Sequence, residues 1–282
     1  MNLFDSQIHG PGPSIPWPSG TTDELSVVAS SELAVAAMDA AGVSGALVTG
    51  MQESVAAFAE RFPGRFGTVP MFRALGAPPA DTTALVAELA ASAAVAGTRA
   101  VINLPGVPSR LPSLAAGDCD PYFTASAQHG LPVFLVALGC AAALEQPVRD
   151  HPDLVFVIDH LGLEPAEAAA AAGRAPLHDL DAVIALARFP NVVLKFSKVM
   201  QFSSQPFPHE DVWPRLRPLI DAFGVGRLMW GSDYTRAAYG YRAAIDFIAA
   251  ADELTVADKQ SLLSDSVRRW TRWPGSVAVH EK

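Results

Sequence analysis

The chain has 282 residues, half of them hydrophobic and only 17% charged, with a formal charge of −9. This composition excludes a disordered chain and supplies a large core. The acidic balance argues against nucleic acid and anionic membranes as partners, while leaving room for a small anion in a local basic pocket.

Eight short β-branched or aromatic runs follow in order: LFDSQIH from Leu3, VSGALVTG from Val43, FGTVPMF from Phe66, GTRAVINL from Gly97, LPVFLVAL from Leu131, LVFVIDHLG from Leu154, VVLKFSKV from Val192 and RLMWGSD from Arg227. Most are nearly continuously apolar, as in strands buried on both faces of a parallel sheet. Between them lie stretches with helical spacing, among them SSELAVAAMDAA from Ser30, DTTALVAELAASAAVA from Asp81, LDAVIALARF from Leu180 and YRAAIDFIAAA from Tyr241. The alanine tract EPAEAAAAAGRAP, from Glu164, reads as a surface helix ending near Gly173. No break in composition divides the units, so residues 1–282 are expected to form one domain, a single (β/α)8 TIM barrel. Such barrels take about 250 residues. A doubly wound sheet is the alternative, but no Gly-rich phosphate loop follows the first strand.

Residues 10–24, 105–120 and 200–211 are long proline-rich loops after strands 1, 4 and 7, on the face where barrels build their sites. Cys119 and Cys140 fit no metal or redox spacing and are expected as two thiols in a reducing compartment. Asp5 interrupts any leader-like start, and no apolar run approaches the roughly 18 residues of a membrane helix. A soluble cytoplasmic protein is the expectation.

Polar residues gather at the strand ends: Gln7 and His9 on strand 1, Arg73 on strand 3, Asp159 and His160 on strand 6, Lys195, Ser197 and Lys198 on strand 7, and Asp233 on strand 8. Strand 4 carries Arg99 and Asn103. Alternation in an extended strand puts Asp5, Gln7 and His9 on one face. Each residue alone has an ordinary structural explanation, a packed histidine or a turn-capping aspartate. Their coincidence at one end of a barrel does not, because each buried charge there requires a partner or a ligand.

DSQIH with PWP downstream, then VIDHLG, VVLKFS and LMWGSDYT, resembles the amidohydrolase superfamily. More narrowly the set resembles the amidohydrolase-related (amidohydrolase 2) branch, which contains sugar lactonases and 2-pyrone-4,6-dicarboxylate lactonase. The tail LLSDSVRRW, from Leu262, resembles that branch's closing helix. The resemblance places Gln7 and His9 at the superfamily's His-x-His pair, His160 at its strand 6 histidine and Asp233 at its strand 8 aspartate. That aspartate takes a proton from the attacking water, usually with a divalent metal alongside. Four positions depart from the pattern. Gln7 replaces a histidine, strand 5 ends without one, Ile102 stands where many relatives have arginine, and Ser266 stands where the final helix often has asparagine.

These departures bear on the metal. If a divalent ion such as Zn2+ is held, its ligands are His9, His160 and Asp233, at most three where zinc wants three or four. Glutamine is a neutral, weak ligand. Gln7 is better suited to donate to a substrate carbonyl and accept from an ordered water. The lactonase branch also includes members that hydrolyse without metal, and a site requiring no cofactor is the preferred expectation.

The expected activity is opening of a small carboxylate- or hydroxyl-bearing lactone. Asp233 is the general base on water, with a pKa tuned by burial and the histidines. His9, His160 and Gln7 polarise the carbonyl. Arg73, Lys195, Asn103, Trp17 and Tyr234 are the expected substrate contacts, with Phe202 as a further candidate to cap the pocket. Lys198, opposite Ser197 by alternation, is expected in a structural ion pair. The competing readings are a metal-dependent amidohydrolase or decarboxylase, and a barrel that binds a small molecule without chemistry. Retention of both His160 and Asp233 speaks against the latter. The expected partner is a small-molecule substrate, with no nucleic acid and no membrane, and the sequence is compatible with a homodimer.

Overall fold

The computed structural model describes residues 2–10, 22–71, 82–94, 97–99, 101–102, 114 and 116–273. Eight strands form one sheet in chain order. They are β1 (Leu3–His9), β2 (Val43–Met51), β3 (Phe66–Met71), β4 (Val101–Ile102), β5 (Val133–Leu135), β6 (Phe156–Ile158), β7 (Val192–Ser197) and β8 (Leu228–Gly231). Each runs parallel to the next.

The sheet closes on itself. Just past β8, the Asp233 N–H donates to the Gln7 carbonyl at 2.9 Å. The Ser6 hydroxyl donates to the Met229 carbonyl. Gly231 permits this approach, since a Cβ there would meet Ser6 Oγ at 2.8 Å and Gln7 Cβ at 3.2 Å. The architecture is the expected (β/α)8 barrel.

β5 and β6 have only three residues each, and burial on both faces is what holds them. Val133 and Leu135, Phe156 and Ile158, and Val192 and Leu194 point outward into the layer packed under the helices. Phe134, Val157 and Val193 alternate with them and point into the lumen, beside Phe4, Leu47, Val69 and Met229. Val267 and Trp273 close the lumen floor. Each such side chain contributes roughly 1.5–3 kcal/mol when fully buried.

β1 departs from the expected alternation. Asp5 pairs with Ala46 but Ile8 with Val48, so β1 carries one extra residue between them. This bulge resets the faces. Phe4 is the lumen residue, its neighbour Asp5 faces away, and Ile8 packs outward. Asp5, Gln7 and His9 therefore do not share one face. The bulge returns Gln7 and His9 to the inner side, with His9 at the mouth and Gln7 below it.

The first long helix, Asp23–Ala41, begins earlier than Ser30 because Thr22 caps it, its side chain accepting from Leu25 N–H. The alanine tract forms Ala166–Ala171, with only Ala169 buried, and Gly173 follows at φ 68°. No disulfide joins Cys119 and Cys140. Among the described residues, no helix is long and apolar enough to cross a membrane.

Candidate active site

Three residues at the strand C-termini share an unusual backbone. His160 follows β6 at φ 54°, Lys198 follows β7 at φ 58°, and Asp233 follows β8 at φ 49°. A non-glycine residue in this left-handed region costs of order 1–3 kcal/mol, and such residues cluster at functional sites. Here the left-handed turn ends strand alternation at the residue itself. The three converge with His9 from the end of β1.

Asp233 is the centre. His9 Nε2 lies 3.0 Å from its Oδ1, Lys198 Nζ lies 3.0 Å from its Oδ2, and His160 Nε2 lies 3.9 Å from Oδ2. Both carboxylate oxygens are buried and neither has an aligned hydrogen bond. The charge is balanced by these neighbours. Burial pushes this carboxyl up, but the contact with His9 and the charges of His9, Lys198 and His160 outweigh it and hold the pKa at about 2. Asp233 is ionised at neutral pH.

The imidazoles differ. Proximity to the carboxylate requires the proton of His9 on Nε2. The His9 backbone N–H donates to Thr235 Oγ1 at 3.0 Å, which anchors the strand end. His160 Nδ1 contacts Ser197 Oγ at 2.8 Å. Burial pushes the His160 pKa down to about 4, only partly offset by Asp159 and Asp233, so this ring is neutral at pH 7.

Beneath the mouth lies a second polar layer. Lys195 is fully buried, with Nζ 3.0 Å from Asp159 Oδ1, 3.1 Å from Gln7 Oε1 and 4.0 Å from the Phe134 ring centroid. Burial pushes the lysine pKa down, opposed by Asp159. Gln7 is buried, its oxygen accepting from Lys195 and its amide nitrogen 3.4 Å from His9 Nε2. The structure thus places Gln7 and Lys195, expected to meet substrate, as a support under His9. Asp5 braces the neighbouring seam. It accepts from the Gln7 N–H, the Ser232 N–H and the Ser232 hydroxyl, and burial pushes its pKa up to about 6 against those bonds.

Of the other expected contacts, Tyr234 stacks on Tyr241 at 4.4 Å between centroids. Burial pushes its hydroxyl pKa up to about 12. Phe202 is packed in the helix-side core. Arg99 lies 6.0 Å from the Trp273 ring, at the floor rather than the mouth. Arg73, Asn103 and Trp17 lie outside the described residues. Lys198 is in an ion pair, as expected, but its partner is Asp233. Alternation failed to place it because the strand ends at Ser197 and the next residue turns left-handed. The signal for this in the sequence is weak, since lysine does not announce that backbone.

His9, His160 and Asp233 are the donors a metal would use. As arranged they do not fit a divalent ion. One face of the carboxylate is against His9, the other is held by an ammonium, and the described residues contain no cluster with metal-ligand geometry.

The amidohydrolase family model matches residues 5–270. An L-fucono-1,5-lactonase of Burkholderia ambifaria is 38% identical over 89 residues, 30% of this chain. The match spans 28% of that lactonase's own length. Among solved structures, an amidohydrolase from Burkholderia multivorans with bound zinc superposes with a TM-score of 0.73 at 20% identity, covering 97% of this chain and 100% of that one. A protein from Pseudomonas putida described as a 2-pyrone-4,6-dicarboxylic acid hydrolase gives 0.67 at 20% identity, covering 97% and 98%. At these identities the structural likeness speaks for the fold alone.

Proposed function

The chain belongs to the amidohydrolase family, and on that premise we propose that it is a hydrolase that opens a small-molecule lactone with Asp233 as base and no metal. The observation that carries the reading is a buried, ionised carboxylate at the barrel mouth, with one oxygen against an imidazole and the other against an ammonium and a second imidazole. The stretch of similarity to the sugar lactonase supports the lactone class.

In this mechanism water attacks the lactone carbonyl carbon as its proton passes to Asp233. Charge develops on the carbonyl oxygen, which Lys198 and the neutral His160 ring are placed to stabilise. The intermediate collapses with cleavage of the ring C–O bond, and protonated Asp233 returns its proton to the leaving alkoxide. The product is the open hydroxy acid. A carboxyl with a pKa near 2 is a weak base in the first step but a strong acid in the second. The activated ester and the local positive charge therefore supply the drive for attack.

The test is a panel of sugar and pyrone lactones assayed with and without chelator. Hydrolysis of at least one, unaffected by chelator, is expected. Inertness toward all of them defeats the lactone reading. Loss with chelator and recovery with zinc favours a metal-dependent reaction.

A further inference from the structure

We propose that Lys198 is the resident counter-cation of Asp233, standing where a divalent ion would bind and so committing this chain to chemistry without metal. The inference rests on the metal-free reading above and gives it a cause.

Three observations support it. The Lys198 ammonium is 3.0 Å from Asp233 Oδ2, on the same oxygen that His160 Nε2 faces at 3.9 Å. A cation bound jointly by His160 and Asp233 would sit against that ammonium. The backbone at Lys198 is left-handed, φ 58°, in the region that favours glycine. A lysine held there carries a conformational cost that glycine would avoid, and its only charged contact among those described is the carboxylate. Finally, the other usual cation support is also altered. Gln7 turns its oxygen to Lys195 rather than to the mouth.

An ammonium provides one positive charge, no vacant coordination position and three N–H donors. It can neutralise Asp233 and donate to a developing oxyanion at once. Lys198 keeps 26% of its side chain exposed, so it borders the open mouth, unlike the sealed Lys195.

The test is zinc binding by full-length protein stripped of metal, read by titration calorimetry and by the visible absorption of added cobalt. Lys198→Met keeps length and removes charge, whereas Lys198→Gly removes both and suits the backbone, which protects against misfolding. Both should bind one zinc at least about 100-fold more tightly than the unaltered protein, the scale of relieving a unit charge beside a dication at short range. Lys198→Arg should stay weak. Adding Asp233→Asn to Lys198→Met should abolish the gain. Tight zinc binding by the unaltered protein, or no gain in either uncharged variant, overturns the proposal. A lactone assay beside the titration separates the two readings. Lactone turnover without a zinc gain removes this inference and leaves the function. A zinc gain with no lactone turned over does the reverse.

Discussion

Substituting Asp5 by asparagine should uncover a pH dependence of stability that the unaltered protein conceals. Asp5 and His160 are both buried, and their titrations oppose each other over one window. The folded pKa of His160 is depressed from 6.5 to about 4, so the unfolded chain binds its proton first as pH falls. Stability is lost between pH 6.5 and 4, by about 3 kcal/mol at 1.36 kcal/mol per pK unit. Asp5 is raised from 3.8 to about 6, so here the folded protein binds the proton first. Its contribution grows as pH falls from 6 to 4 and is lost as pH rises through 6, again by about 3 kcal/mol. The two nearly cancel. In Asp5→Asn the His160 loss stands alone, and the stability of the variant relative to the unaltered protein should drop by about 3 kcal/mol between pH 7 and pH 4. Asparagine retains the shape and one acceptor for the Gln7 and Ser232 N–H groups. Urea unfolding followed by tryptophan fluorescence at pH 7, 5 and 4 measures the difference. A constant offset between the two proteins across that range would refute the reasoning.

Asp233→Asn should lower kcat by about 100-fold or more, the scale of a positioned base. It should also cost about 2 kcal/mol of stability, because the folded protein favours the ionised form. In the unaltered enzyme the acid limb of the pH–rate profile should fall near pH 4, set by His160, since Asp233 titrates lower. A limb near pH 6.5 would remove that assignment. Ser197→Ala deprives His160 Nδ1 of its partner and should cost about 1–3 kcal/mol, with a smaller kcat loss than Asp233→Asn, read by unfolding and steady-state kinetics together. Lys195→Met leaves Asp159 buried without its cation and should cost about 3–5 kcal/mol. Adding Asp159→Leu should recover most of this in denaturant midpoint, and a double variant as unstable as the single would show that the pair is not the source.

The barrel was legible because burial on both faces leaves a plain record. LVFVI and VVLKF read as strands whichever face is considered, and the structure has strands at Phe156–Ile158 and Val192–Ser197. The residues that meet at the mouth were legible from position for His9, His160 and Asp233, each falling at a strand end. Their individual surroundings were not. The β1 bulge moves Asp5 off the expected face, and no feature of DSQIH marks where the extra residue lies. The left-handed turn at Lys198 defeats alternation in the same way. Lys195 is misjudged for a different reason. A lysine near a mouth reads as a substrate contact, and only the three-dimensional position of Asp159 and Gln7 shows it sealed beneath. Sequence periodicity reports which face a residue occupies. It does not report depth along the barrel axis, and at this mouth depth separates support from contact.

The seam between β1 and β8 has a consequence for the order of events in the cell. Gln7 and His9 are synthesised more than two hundred residues before Asp233. Domains made N-terminal end first can collect partial structure before synthesis ends. The two β1 residues must wait for their partner, held meanwhile beside β2, with the lumen-facing edge open. Closing so long a loop is a late and slow contact in folding. The backbone bond from Asp233 to Gln7 is part of that closure. The contact of His9 with Asp233 and the completion of the barrel are thus the same event.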